Sequence, residues 1–168
     1  MRLKSEAKYD ERGWMTTITV VAHCLLDPET RLADLRPIDF RPEPPLIQLL
    51  CPEAGHLGLD RWAVTKNQID IPSYRRYCRE IFLHHADLIE QFSKRGCEIE
   101  VVGVGGSPSC GVTSTTAGYA GGKIRPQEHR HVPGRGVFME EVTEELERRG
   151  VPFRLSEAGV IDPEPSPR

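Results

Sequence analysis

The chain predicts an α/β fold built on a mostly parallel sheet, and three observations predict it. Three β-like runs, Ile18 to Cys24, Leu46 to Cys51 and Ile99 to Val104, are rich in β-branched and aliphatic residues, and each ends in or leads to a cysteine. A helical pattern over 72–95 separates the second run from the third, and strand, helix, strand in that order is a crossover that makes its strands parallel. Open parallel sheets take their ligands beyond the carboxyl ends of the strands. The expected architecture is therefore a single Rossmann-like domain with flanking helices, and its site lies where Cys24, Cys51 and Cys110 come to one edge.

Length and charge narrow the classes. At 168 residues the chain can bury a full core, and 38% apolar against 28% charged residues is a globular balance. A net charge of −3 offers no basic footprint for long nucleic acid. No apolar run approaches a membrane span and no leader pattern precedes the first strand, so a cytoplasmic protein without a membrane partner is expected. Five cysteines, an odd number in such a chain, argue against a disulfide framework and favour ligand or reactive-thiol roles.

In chain order, residues 1–16 are polar and read as a flexible extension, 17–157 as the domain, and 158–168 as a flexible proline-rich tail. Asp27-Pro28, Pro37, Pro42, Pro44 and Pro45 forbid long regular structure over 27–45 and predict a loop covering the site. After the second strand, Glu53 to Gly58 turns away, with Gly55 and Gly58 permitting a tight return. The helix over 72–95 carries Tyr74, Tyr77, Cys78, Ile81, His85, Leu88, Ile89 and Phe92 at steps of three and four and stops at Gly96. Thr113 to His131 reads as ordered loop. Gly136 to Arg149 reads as a second helix with Phe138, Val142 and Leu146 on one stripe, followed by a short strand over Val151 to Leu155.

The cysteines divide by position. Cys78 lies on the apolar stripe of the long helix and Cys97 beside its cap, where a small hydrophobe satisfies packing. Cys24, Cys51 and Cys110 end strands, and their spacing matches no local zinc-knuckle or ferredoxin run, so the fold must assemble the site. Three thiolates would hold zinc, with His23 or His56 as a fourth ligand, or an iron–sulfur cluster with one iron left open. A histidine bonded to backbone is the competing role for His23. Trp62 is suited to stacking on a base or to core packing. Arg61, Lys66, Lys123, Arg125 and Arg135 could form a phosphate pocket or a solvated face.

Several of these stretches together carry a resemblance. His-Cys24-Leu-Leu, Cys51-Pro-Glu, Ser107-Pro-Ser-Cys110-Gly, Gly-Tyr-Ala-Gly-Gly122 and Gly134-Arg-Gly-Val-Phe-Met-Glu140 resemble the thiouracil desulfidase (TudS) family, and Arg61 to Asp70 is similar to its short branch of putative desulfidases. The resemblance spans about residues 17–157. It implies a [4Fe-4S] cluster on Cys24, Cys51 and Cys110, the fourth iron accepting sulfur from a small thiolated pyrimidine base or nucleotide while water replaces it on carbon. Such chemistry needs a base or acid near the iron, for which Glu53 is the first candidate and Asp27 an alternative; Ser107 matches the serine that precedes the family's third cysteine, and Ser109, Arg61, Lys66 and Lys123 are the candidate substrate contacts. The chain departs from the family after its first cysteine, where Leu-Leu-Asp-Pro replaces Leu-Leu-Gly. That departure leaves the three cysteines intact and falls on the substrate side. The alternative is a non-catalytic zinc- or cluster-binding module.

Overall fold

The computed structural model describes residues 9, 11, 15–119, 121–123 and 129–159, so most of the expected extension and tail lies outside the described residues. Strands β1 (Thr17–Val21), β2 (Leu46–Gln48), β3 (Glu98–Val104) and, later in the chain, β6 (Arg154–Ala158) form one parallel sheet in the order β2-β1-β3-β6. Helices α1 (Pro52–Leu57), α2 (Lys66–Ile69) and α3 (Pro72–Lys94) lie between β2 and β3. The antiparallel ribbon β4 (Ser114–Ala117) with β5 (Arg130–Pro133) and then helix α4 (Val137–Arg148) precede β6.

Alternation along the strands sorts the core into two faces. Ile18, Val20, Ile47, Leu49, Ile99 and Val101 turn to the side covered by α3 and α4, where Tyr74, Cys78, Phe82, Phe138, Val142 and Leu146 are buried. Val21, Val102 and Val104 turn to the other side, where Ile38 and Phe40 pack on them in place of a helix. Connection handedness accounts for this. The crossover from β2 to β3 runs one way across the sheet and that from β1 to β2 runs the other, so right-handed connections put them on opposite faces. The proline-rich segment is the second crossover.

Both long helices end alike. Cys97 N–H donates to Phe92 O and Gly96 N–H to Ser93 O, while Val151 N–H donates to Leu146 O and Gly150 N–H to Glu147 O. These are paired Schellman closures, and Gly96 and Gly150 adopt the left-handed φ of 85° and 68° that such closures require. Arg75 on α3 pairs with Glu140 at 2.7 Å and Glu141 at 2.8 Å on α4, and Arg149 pairs back with Asp87 at 2.7 Å.

Several sequence expectations shift. The buried stripe of α3 is Tyr74, Cys78, Phe82, Ala86 and Ile89, whereas Leu88 is exposed. The apolar residues spread around more than one face, and contact with α4 selects the phase. Residues 53–58 form most of a helix because Pro52 stands at its first turn and Cys51 caps it. The segment read as loop from Thr113 contains the ribbon, whose short strands carry no alternation long enough to signal it. The last strand begins at Arg154 because the α4 closure occupies Gly150 and Val151. Cys78 and Cys97 are buried core residues, as expected.

Phe82 packs edge-to-face on Phe138 at 6.3 Å, inside the α3–α4 seam. Phe82→Ala is expected to cost about 3–5 kcal/mol of stability, read as a lower urea midpoint with an unchanged slope.

Candidate functional site

Each cysteine of interest follows one of three adjacent strands. The ladder runs past β1, with Ala22 N–H donating to Val102 O, before a single 3₁₀ turn (His23–Leu25) carries Cys24. Leu49 N–H donates to Val21 O beyond β2, and Cys51 then caps α1, its Sγ accepting from Ala54 N–H at 3.4 Å. Cys110 sits in the turn after β3. Ser107 Oγ accepts from Cys110 N–H at 2.9 Å and Ser109 N–H at 3.2 Å, and Val104 N–H closes on Cys110 O at 2.8 Å.

That turn is held from every side. The first turn of α4 donates Val137 N–H to Pro108 O and Met139 N–H to Ser109 O, both at 2.9 Å. Ser109, fully buried, shares a 2.8 Å hydrogen bond with Tyr74 OH from α3. Glu157 on β6 accepts from Val112 N–H at 2.8 Å and Thr113 N–H at 2.6 Å. The glycines answer to space. A Cβ on Gly136 would stand 2.3 Å from Ser109 C, and one on Gly111 would stand 2.0 Å from Ser114 O.

Cys24, Cys51 and Cys110 line one cavity of about 270 Å³, at the small end of ligand sites. All three are free thiols. Burial pushes the Cys24 thiol up to about 11; Arg31 opposes this, and Cys51 and Glu53 add to it. Burial also raises Cys51, against the Ala54 amide, and it raises Cys110 well above its ordinary value, with Cys24, Cys51 and Glu53 contributing next. The thiols therefore feel one another, and as anions they would crowd one small volume beside a carboxylate. A cation or a cationic inorganic core is the partner that would favour their ionised form.

Three soft thiols from separate segments are a donor set of the kind that suits zinc or an iron–sulfur cluster. Among the described residues, no three His, Cys, Asp or Glu side chains converge on a point where one metal ion could sit. The expected fourth ligands are engaged elsewhere. His23 Nδ1 bonds Leu49 O at 2.9 Å, leaving Nε2 3.4 Å from Asp27, while His56 packs against the rings of Tyr74 and Tyr77. A cluster takes each thiolate on a different iron.

Glu53 is buried and its Oε2 accepts from Arg61 Nε at 3.0 Å. Arg61 also donates to Gly58 O at 3.2 Å and Thr30 O at 2.9 Å, which ties α1 to the segment following Cys24. Its guanidinium is thus a brace within the cavity wall. Ser107 lines the cavity too. Other expected residues stand apart: Lys66 pairs with Glu140, Arg135 donates to Thr143 Oγ1, Lys123 is exposed, and Arg125 lies outside the described residues. Asp27 caps the 3₁₀ turn Pro28–Thr30 by accepting from Glu29 N–H. Trp62 is 84% exposed, so it is not core.

Sequence reasoning missed His129 and His131, which line the same cavity. His131 stands on β5 and His129 immediately before it, in a stretch where no strand was expected.

Metal-free protein should alkylate slowly with iodoacetamide at Cys24, because the thiolate is the nucleophile and a rise from 9.0 to about 11 lowers its fraction at pH 8 by about a hundredfold. The rate is expected to climb with pH to about 11. Peptide mapping showing Cys24 fully reactive at pH 8 would contradict this environment.

Comparison with known proteins adds one relative. Over 112 residues the chain is 25% identical to an uncharacterized protein of Methanocaldococcus jannaschii, covering 67% of this chain and 60% of that protein. The chain thus spans less than two thirds of that relative's length. No family model and no solved structure matches, and among the described residues no helix is long and apolar enough to cross a membrane.

Proposed function

We propose that the protein is an iron–sulfur-dependent desulfidase that converts a thiocarbonyl of a small thiolated pyrimidine base or nucleotide to a carbonyl. One observation carries the reading: three reduced thiols from the ends of three adjacent parallel strands share a cavity with a buried Glu53–Arg61 pair. Cys24, Cys51 and Cys110 would hold a [4Fe-4S] cluster. When bound, that group supplies an iron without a protein ligand, a soft Lewis acid suited to sulfur.

The chemistry asked of the side chains is hydrolytic. Water adds its oxygen to the thiocarbonyl carbon, the C–S bond breaks, and one carbonyl and one hydrogen sulfide leave, with no net oxidation. Glu53 takes a proton from the attacking water. Arg61 fixes one carboxylate oxygen, and among the described residues no hydrogen bond occupies Oε1. Ser107 Oγ already accepts two amide protons, so its own O–H is the group it can offer to a substrate heteroatom. The apolar walls, Leu32, Leu35 and Val64 among them, suit a flat ring. A site that depends on free thiols also suits the reducing cytoplasm.

Anaerobic purification followed by iron, zinc and sulfide analysis tests the cofactor. About four irons and four sulfides per chain are expected, lost in Cys24→Ser, Cys51→Ser and Cys110→Ser and retained in Cys78→Ser. Zinc, or no metal with the four variants alike, would sink the reading in favour of a metal module or a buried-thiol fold. Glu53→Gln should keep the iron and lower turnover of a thiolated pyrimidine by about 10²-fold or more.

A further inference from the structure

Two of the three cysteine-bearing segments rest on one residue outside the lining of the cavity. Tyr74 is buried in the first turn of α3, and its hydroxyl shares a 2.8 Å hydrogen bond with Ser109 Oγ, on the residue before Cys110. The same ring meets His56 edge to face, with centroids 5.3 Å apart and planes at 66°. His56 belongs to α1, the helix that Cys51 caps. Tyr77 packs on His56 as well, at 5.0 Å, and a Cβ on Gly55 of α1 would stand 2.0 Å from its hydroxyl oxygen. Residues three apart lie on one helix face, so the two tyrosines form a single bed for α1.

The bed is itself braced. Arg75, next in the chain, pairs with Glu140 at 2.7 Å and Glu141 at 2.8 Å on α4, whose first turn also holds the Ser107–Gly111 turn. Cys51, Pro52 and Glu53 line the cavity from one segment and Ser107, Pro108 and Cys110 from the other, whereas Ser109 and His56, which are not part of that lining, reach Tyr74. Burial raises the Tyr74 phenol above its ordinary range, against the Ser109 bond, so it holds the turn as a neutral hydroxyl. Cys24 is held differently, by His23 Nδ1 on Leu49 O at 2.9 Å.

We infer that Tyr74 is a positioning residue that sets the separation of Cys51 and Cys110, its hydroxyl anchoring the Cys110 turn and its ring seating the Cys51 helix. The inference rests on the desulfidase reading only in taking both cysteines as ligands. A group bound by thiolates from separate segments is kept while those segments keep their spacing, so a residue that touches no ligand can govern its retention.

Alkylation of the metal-free chain by iodoacetamide, mapped peptide by peptide at one pH, tests the two arms separately. Tyr74→Phe keeps the ring and removes the hydroxyl. It should speed Cys110 about tenfold, the worth of a buried hydrogen bond whose partner is left unsatisfied, with Cys24, Cys78 and Cys97 at their unaltered rates. His56→Ala, at an exposed residue, should speed Cys51 about threefold without moving Cys110. In protein purified anaerobically with its iron, Tyr74→Phe should release iron to a chelator about tenfold faster. Uniform acceleration of all five cysteines in Tyr74→Phe marks general destabilisation and overturns the inference. So does an unchanged Cys110 in that variant, or an unchanged Cys51 in His56→Ala. Iron content of the unaltered protein separates the two levels: iron present with an unchanged release rate removes only the Tyr74 assignment, and iron absent removes the desulfidase reading while the alkylation pattern decides the role of Tyr74.

Discussion

The site depends on how closely the Ser107–Gly111 turn can lie against the first turn of α4. Gly136 has no room for a Cβ because the backbone of Ser109 and Cys110 occupies the space, and Gly111 is pressed in the same way against Ser114. That proximity lets the N–H groups of Val137 and Met139 find carbonyl partners in the turn. The amides at the start of α4, which in another fold would be available to an anion, are here spent on holding a cysteine in place. The glycines of this stretch are therefore a packing requirement, and a phosphate cradle is not needed to explain them.

Electrostatics and packing pull the site in opposite directions. Burial favours the neutral form of each thiol, and each neighbouring thiolate or carboxylate strengthens that preference. Arg61 is committed to Glu53, leaving Arg31 as the cation that acts directly on Cys24. A site with this balance is stable with its protons on, and it gains most from a ligand that displaces them. The same argument explains why Cys78, though also buried, is a different kind of residue. It lies in the core on α3 and does not line the cavity of the other three, and burial is the largest cause of its raised pKa of about 12.

Much of this was legible in the sequence because strand ends are legible. The β-branched runs located β1, β2 and β3, the helical period located α3 and α4, and the parallel topology then brought Cys24, Cys51 and Cys110 together without any local motif. What stayed hidden was set by contacts distant in the chain. The pairing of Arg61 with Glu53 turns an expected substrate contact into a brace, and nothing local distinguishes those roles. The phase of α3 is chosen by Phe138 across the seam. The β4–β5 ribbon has strands of four residues, too short to show a period, and with it the place of His129 and His131 at the cavity stayed hidden.

The crossover from β1 to β2 covers one face of the sheet with a chain segment where a helix would ordinarily lie. Leu32 and Leu35 of that segment wall the cavity, while Ile38 and Phe40 seal the second half of the core. A helix in this place would open or close as a rigid body. A segment with few backbone hydrogen bonds of its own can peel away residue by residue, and when it does, core face and cavity become wet together. Access to the cavity is thereby linked to the same local loosening that limits the stability of the sheet.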